Sequence, residues 1–136
     1  MVKMQRWKSK LQVRGVIMKK VVKFGGSSLA NAEQFQKVGD IIRSDESRRY
    51  VVPSAPGKRF DDDIKVTDML YGCYDAASKG EDITEKINAI KARYYEIIKG
   101  LGLSLSLEEE FKKIDEDFRA QAGLYYHYGL KKHLLD

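Results

Sequence analysis

The segment that most constrains the fold lies between residues 20 and 29, where a β-branched run enters two glycines and two serines. Apolar residues at helical spacing follow shortly after, with Asn31 as the predicted N-cap. This pattern predicts a strand that delivers a lysine and a glycine-rich turn to the start of a helix. A second apolar run at residues 50–52 completes a strand–helix–strand unit. Such a unit predicts a parallel sheet with a right-handed crossover.

The glycine-rich turn has the features of a phosphate-binding site. Gly25 and Gly26 lack a Cβ, so the backbone can take positive φ there and let an anion approach its N–H groups closely. The next helix adds unpaired N–H groups at its positive end, and Lys23 adds a full charge. The lysine precedes the glycines, unlike in a Walker loop, and no G-x-G-x-x-G follows. An ordinary strand-to-helix turn with a solvated lysine is the alternative.

Composition narrows the class of protein. The chain has 136 residues, 43% hydrophobic and 33% charged, as expected for one folded domain with a real core. No apolar run approaches the roughly 20 residues of a membrane-spanning helix, so we expect no membrane partner. The single cysteine, Cys73, excludes an internal disulfide and a cysteine-based zinc site. It suits a reducing, cytoplasmic location.

Positive charge is concentrated at the N-terminus. Residues 1–20 hold seven of the 25 basic side chains and no acidic one, which leaves the remainder slightly acidic. We therefore expect no nucleic-acid partner, with a basic arm touching nucleic acid or membrane as the alternative. Residues 1–18 are interpreted as a disordered basic extension, and Met18 looks like a natural first residue. Residues 19–136 are then the folded part.

The sequence from residue 58 onwards predicts loops and helices only. Residues 58–65 form a charged loop, interpreted as a solvated lid because the adjacent carboxylates at 61–63 do not converge on one metal ion. A helix is predicted from Thr67, with an inward face of Met69, Leu70, Cys73, Tyr74 and Ala77. Capping boxes predict two more helices, after Asp82 and after Ser106. A last helix is predicted from about Leu124 to Leu135.

Three motifs in order, K-F-G-G-S-S at 23–28, V-V-P-S-A at 51–55 and K-V-T-D-M-L at 65–70, resemble the N-terminal part of aspartokinase. The resemblance implies an α/β fold: a partial amino-acid kinase (carbamate kinase-like) domain, with a parallel βαβ start and then a helical block. It also implies ATP-dependent phosphorylation of the L-aspartate β-carboxylate, the first step towards lysine, threonine and methionine. The implied cofactors are ATP and Mg²⁺.

The resemblance further implies roles for individual residues. Lys23 would neutralise the transferring phosphoryl group as the catalytic residue. The backbone amides of Gly25 and Gly26 would contact its oxygens, with Ser27 and Ser28 lining the same pocket. Ser54 and Thr67 match family positions at the aspartate site. These roles agree with the chemistry, because phosphoryl transfer needs mainly positioning and charge neutralisation.

The sequence also departs from the family. Family members continue with a strand ending in S-F-G-E, a nucleotide-binding half and ACT domains, whereas this sequence stops at Asp136, and Pro53 replaces a commoner apolar residue. We therefore expect a truncated fragment that is inactive alone, with the Mg-nucleotide held mainly by the missing parts. One alternative is a non-catalytic partner of a complete kinase subunit, or a homo-oligomer formed through the exposed sheet. Another is a sibling kinase with a different acceptor, although K-V-T-D favours aspartate.

Overall fold

The computed structural model describes residues 18–133, without the side chains of Ala122 and residues 124–133. The elements in chain order are β1 (Lys20–Phe24), a 3-10 turn (Gly26–Leu29), α1 (Ala32–Arg43), β2 (Arg48–Pro53), α2 (Val66–Ser78), α3 (Thr84–Gly100) and α4 (Glu108–His133). A βαβ unit followed by helices confirms the predicted fold class. Residues 1–17 of the predicted basic extension lie outside the described residues.

The two strands pair in parallel, as the sequence predicts. Val22 lies opposite Val51, and Phe24 lies opposite Pro53 at the carboxyl end of both strands. Proline is tolerated at this position because it removes a donor only where the strand ends. Many apolar side chains of the sheet are exposed: Val21 is 69% and Tyr50 is 53% accessible. The described sheet therefore lacks the cover that a parallel sheet normally has on both faces.

Helix α1 begins where its sequence predicts. The Asn31 side chain accepts a hydrogen bond from the Gln34 backbone N–H at 3.0 Å, which confirms the predicted N-cap. Leu29, Ala30 and Val38 are buried beside this helix. Together they form the small apolar contact that joins α1 to the first turn.

The main core lies among α2, α3 and α4. Its buried members are Val66, Cys73, Ala76, Ala77, Ile83, Ile87, Ile90 and Phe111. Cys73 is fully buried, as predicted for a core cysteine, and burial raises the pKa of its thiol. The predicted inward position of Tyr74 is wrong: this ring is 41% exposed, and the small Ala76 is buried instead. No helix in the described part of the chain is both long and apolar enough to cross a bilayer.

The helical block has one helix fewer than predicted. A single helix, Glu108–His133, replaces the two helices expected on either side of residue 123. An isolated glycine costs a helix only about 1 kcal/mol, so Gly123 does not end it. The predicted capping box at Asp82 is not formed, because the N-cap of α3 is Ile83, which makes no side-chain cap hydrogen bond. The predicted capping residues contact the helix starts in another way. Asp82 Oδ1 accepts from the Thr84 N–H at 3.1 Å, and Ser106 Oγ accepts from the Glu108 N–H at 3.4 Å.

Candidate functional site

The glycine-rich turn after β1 is a 3-10 turn rather than a left-handed one. Gly25 has an extended backbone, with φ −77° and ψ 173°, and its carbonyl accepts from the Ser28 N–H at 3.1 Å. Among the described glycines, positive φ occurs at Gly80 and Gly102. The positive φ that the sequence permits at Gly25 and Gly26 is therefore not adopted, because the 3-10 turn is built from ordinary right-handed geometry.

The glycine at 26 is explained by close packing against a second glycine. The Gly57 N–H donates to the Gly26 carbonyl at 2.8 Å. A Cβ on Gly26 would lie 3.1 Å from the Gly57 Cα, which is a tight contact. A Cβ on Gly57 would lie 2.5 Å from the Gly26 carbonyl carbon, closer than real Cβ contacts. A Cβ on Gly25 would meet nothing within 4 Å, so that side of the turn faces open space. Two turns thus meet backbone to backbone and leave Gly25 accessible to a ligand.

The two turns share one pocket at the carboxyl ends of the strands. The Ser54 N–H donates to the Phe24 carbonyl at 3.0 Å, which continues the strand pairing by one residue. An open pocket of about 480 Å³ follows, lined by Gly26, Ser27, Ser54, Ala55, Pro56, Gly57, Lys58, Lys65 and Thr67. This is where open α/β sheets bind ligands. Four residues predicted separately, Gly26, Ser27, Ser54 and Thr67, are therefore brought together.

The other three predicted residues lie beside the pocket rather than on its lining. Lys23 is an exposed residue of β1 opposite Val52. Gly25 is exposed between Lys23 and the pocket, and Ser28 is half-buried in the 3-10 turn. All three are within three residues of Gly26 along the chain.

Two pocket lysines were missed by the sequence analysis. Lys58 follows Gly57 directly, and its Nζ donates to the Asp61 carbonyl at 3.0 Å. Lys65 precedes α2, and within residues 18–133 no hydrogen bond or ion pair engages its ammonium. The signal was available, because Lys65 is the first residue of the K-V-T-D-M-L motif and Lys58 follows the V-V-P-S-A motif by three positions. Sequence reasoning had assigned the segment between them to a solvated loop.

The chemistry of the pocket suits an anion. Its lining carries the hydroxyls of Ser27, Ser54 and Thr67 and two ammonium groups, but no carboxylate among the described lining residues. Hydroxyls and ammonium groups are donors for phosphate or carboxylate oxygens. Mg²⁺ instead prefers carboxylate oxygens and water. The pocket therefore fits the phosphate and carboxylate groups of ligands better than a bare metal ion.

The loop of residues 58–65 is anchored, which differs from the predicted solvated lid. Asp63 is nearly buried, with a side chain 8% exposed. Its carboxylate accepts from Arg59 Nε at 2.7 Å and pairs with Arg93 Nη1 at 3.2 Å. Hydrogen bonds from Arg59 hold the pKa of Asp63 well below its usual range, with a smaller contribution from the charge of Arg93. Asp61 and Asp62 remain exposed, so the prediction is right for them and wrong for Asp63.

Arg93 of α3 was also missed. It is 5% exposed, and it donates to the Gly57 carbonyl at 2.7 Å and to the Ile64 carbonyl at 2.9 Å. Burial lowers its pKa, although the neighbouring carboxylates oppose the shift. The isoleucines of α3 predict an apolar stripe, and a charged residue on that stripe is the one signal that was present.

Comparison with known proteins identifies two curated relatives. Aspartokinase 3 of Bacillus subtilis (strain 168) is 44% identical over 93 residues, which cover 68% of this chain and 20% of the relative. Lysine-sensitive aspartokinase 3 of Escherichia coli (strain K12) is 29% identical over 102 residues, covering 75% of this chain and 21% of the relative. The chain thus spans about a fifth of the length of these relatives. No family model matches the chain.

Solved structures of aspartate kinases share its fold. Aspartate kinase from Clostridium acetobutylicum superposes with a TM-score of 0.71 at 41% identity, over 74% of this chain and 23% of that one. Aspartokinase III of E. coli, in complex with aspartate and ADP, superposes with a TM-score of 0.57 at 28% identity, over 77% and 22% of the two chains. The similarity therefore extends from sequence to three-dimensional arrangement.

Proposed function

Since the resemblance to aspartokinase is confirmed by sequence and by fold, we propose that this chain supplies part of a site that phosphorylates the β-carboxylate of L-aspartate with ATP. The observation that carries the proposal is the single pocket shared by Gly26, Ser27, Ser54 and Thr67. We propose that this reaction is the first step towards lysine, threonine and methionine, as the resemblance implies, and that it takes place in the cytoplasm. It also favours aspartate over the acceptors of sibling kinases.

The chain's residues act on the transferred group mainly through charge and orientation. In the reaction, an oxygen of the aspartate β-carboxylate forms a bond to the γ-phosphorus of ATP, and the bond from that phosphorus to the leaving ADP oxygen breaks. Lys23 neutralises charge on the moving phosphoryl group, and the amides of Gly25 and Gly26 orient its oxygens. The hydroxyls of Ser27 and Ser28 donate hydrogen bonds to the same oxygens. Such fixed donors supply much of the catalysis of phosphoryl transfer.

The acceptor side of the pocket is assigned to Ser54 and Thr67. Both hydroxyls line the pocket on segments that follow β2, across from the Gly26 turn. The positive charges of Lys58 and Lys65 favour the entry of an anionic amino acid as well as a phosphate. Aspartate and the phosphoryl donor would then meet between the two turns, which is the arrangement that in-line transfer needs.

Mg-ATP supplies the phosphoryl group and charge neutralisation when bound. Among the described lining residues the pocket offers donors for phosphate oxygens and no carboxylate for the metal. We therefore assign phosphate contacts to this chain, and we assign the protein ligands of Mg²⁺ to parts of the site outside this pocket.

We expect the 136-residue polypeptide to be inactive by itself. Its pocket is open, and the apolar side chains of the adjoining sheet are exposed, so nothing described here holds a nucleotide rigidly against the acceptor. A hydroxamate trap for the acyl phosphate should detect no turnover above that of Lys23→Ala. Clear turnover that Lys23→Ala abolishes would overturn this expectation.

A chimera tests the proposed function directly. The matched 93-residue segment of the B. subtilis enzyme is replaced by the corresponding residues of this chain. We expect aspartate-dependent activity, reduced by about 100-fold or more in Lys23→Ala, since single transition-state donors contribute about that much. Lys79→Ala, an exposed lysine at the end of α2, serves as the matched control and should retain activity. A folded but inactive chimera would contradict the proposal.

A second candidate function is that of a non-catalytic partner of a complete kinase subunit. It is favoured by exposed apolar residues of the sheet: Val21, Tyr50, Val51 and Val52. Exposed strands with apolar faces template association with other chains. Sedimentation of the chain, alone and mixed with B. subtilis aspartokinase 3, distinguishes self-association from complex formation. A Val21→Lys, Tyr50→Lys double variant should weaken self-association or complex formation. If the chain is monomeric both alone and in the mixture, this candidate function is excluded.

A further inference from the structure

In the described part of the chain, Arg93 is the only charged or polar residue that is buried as a whole, with 5% of its surface exposed. Otherwise helix α3 buries isoleucines, namely Ile87, Ile90, Ile97 and Ile98. Burying a guanidinium is unfavourable unless its N–H groups find acceptors. Among the described residues, acceptors for the two terminal nitrogens offset the burial of Arg93, whereas its Nε has no hydrogen-bond partner.

Those acceptors come from three separate segments. Nη2 donates to the carbonyls of Gly57 at 2.7 Å and Ala30 at 3.5 Å, and Nη1 donates to the Ile64 carbonyl at 2.9 Å. Gly57 belongs to the turn after β2, Ala30 follows the 3-10 turn, and Ile64 ends the loop before α2. These are the three segments that supply the lining of the pocket. One side chain thus joins all of them from behind.

Arg93 is linked to the glycine-rich turn at Gly26 through one intermediate residue, Gly57. The Gly57 carbonyl is held by Arg93, and the Gly57 N–H is bonded to the Gly26 carbonyl at 2.8 Å. The Pro56 carbonyl accepts from the Val66 N–H at 3.0 Å, so the same turn is also tied to the start of α2. The turn at Gly57 is therefore fixed on one side by the pocket and on the other by the helical core.

We propose that Arg93 is a positioning residue of this site: it holds the Gly57 turn against Gly26 and so sets the shape of the anion pocket. Its effect on catalysis rests on the proposed function, whereas its effect on the backbone rests on the contacts alone. Asp63 balances part of its charge through the 3.2 Å ion pair. Lysine is not an adequate replacement, because one ammonium lacks the planar fork that reaches separate carbonyls.

The first test follows the backbone of the 136-residue chain itself. Hydrogen exchange is measured by NMR for the Gly57 amide and for amides inside α3, in the wild type, Arg93→Lys and Ile87→Val. In Arg93→Lys we expect Gly57 to lose about 10-fold or more protection beyond the loss in α3, since local opening exposes one segment at a time. Ile87→Val, which weakens the buried core away from the pocket, should lower both equally. Equal losses in Arg93→Lys as well would overturn the proposal.

The second test asks whether the position of the Gly57 turn, as held by Arg93, matters for the reaction. In the chimera described above, Arg93→Lys should lower kcat by about 10-fold or more, because small displacements of positioning groups slow transfer strongly. Ile87→Val should leave kcat close to that of the parent chimera. Equal activities of the two variants would contradict the catalytic part of the inference. An inactive parent chimera would instead contradict the proposed function, and the exchange measurement would still decide the role of Arg93.

Discussion

The helical block buries its apolar side chains, whereas the two-stranded sheet leaves many of its apolar side chains exposed. In the block of α2, α3 and α4, Cys73 is 0% and Ile90 is 2% exposed. In the sheet, Val21 is 69% and Val52 is 47% exposed, although both strands consist largely of β-branched residues. The difference shows that the described chain derives its stability from the helices, whereas the candidate site lies at the end of the poorly covered sheet.

Arg93 and Asp63 connect these two regions. Both are largely buried, and between them they join α3 to the loop and turns around the pocket. An apolar core needs no such polar link, so its presence marks the border where packing gives way to the site. The comparison therefore predicts large effects of mutation in the block, intermediate effects at the border and small effects on the sheet.

The largest expected effect is in the helical core. Ile90→Ala should lower the free energy of unfolding by about 2–5 kcal/mol, because it removes buried methyl groups and leaves a cavity. Val52→Ala, on the exposed sheet, should change it by about 0.5 kcal/mol or less. Urea denaturation of both variants measures the two values. A cost for Val52→Ala similar to that for Ile90→Ala would show that the sheet is covered after all.

An intermediate effect is expected at the border. Asp63→Asn should destabilise the chain by about 1–3 kcal/mol at pH 7, because the buried guanidinium of Arg93 loses its charged partner. Asp62→Asn, on the exposed part of the same loop, is the matched control and should be nearly neutral. Urea denaturation at pH 7 measures both.

The same pair predicts a dependence on acid. The pKa of Asp63 is lowered in the folded state, so its contribution is present above the unfolded pKa of about 4 and is lost as the pH falls below it. The difference between wild type and Asp63→Asn should therefore shrink between pH 5 and pH 3, values set by that pKa of about 4. A difference that stays constant over this interval would show that Asp63 does not act through its charge.

Local features were predictable from the sequence because short segments determine them. The strand, the glycine turn and the Asn31 cap depend on neighbouring residues and were found where expected. Gly26, Ser27 and Ser54 lie together because parallel strands end at one edge. The assignment of Ser54 and Thr67 to the site came instead from the resemblance to aspartokinase. The same local reasoning separated the helices around residue 123 incorrectly, since a single glycine does not terminate a helix that has other support.

Features that depend on packing between distant segments were not predictable. Arg93 receives its acceptors from residues 29 to 63 positions away in sequence. Asp63 is buried by the same contacts, although its two acidic neighbours are exposed. The reason for a glycine at position 26 is likewise tertiary: it is the approach of Gly57 and not a left-handed backbone.

Substitution of two glycines by alanine should have smaller effects on stability, and the two effects should be opposite in sign. Gly57→Ala should destabilise the chain by about 1–2 kcal/mol, because the new Cβ overlaps the Gly26 backbone and must push the two turns apart. Gly72→Ala, inside α2 with nothing within 4 Å of the new Cβ, should stabilise it by about 0.5–1 kcal/mol. Thermal melting measures both. Stabilisation by Gly57→Ala would show that the two turns do not meet closely in solution.

The smallest effect is expected from deletion of residues 1–17. They carry unbalanced positive charge and no sustained periodic apolar face, so they lack the means to cover the exposed sheet that follows them. Deletion should change the free energy of unfolding by about 0.5 kcal/mol or less, as for surface changes away from packed contacts. Self-association measured by sedimentation should also be unchanged if the sheet at Val21 and Tyr50 is already exposed. A marked fall in melting temperature, together with stronger self-association, would instead identify this segment as cover for the sheet. The contrast between the two regions would then hold only for residues 18–133.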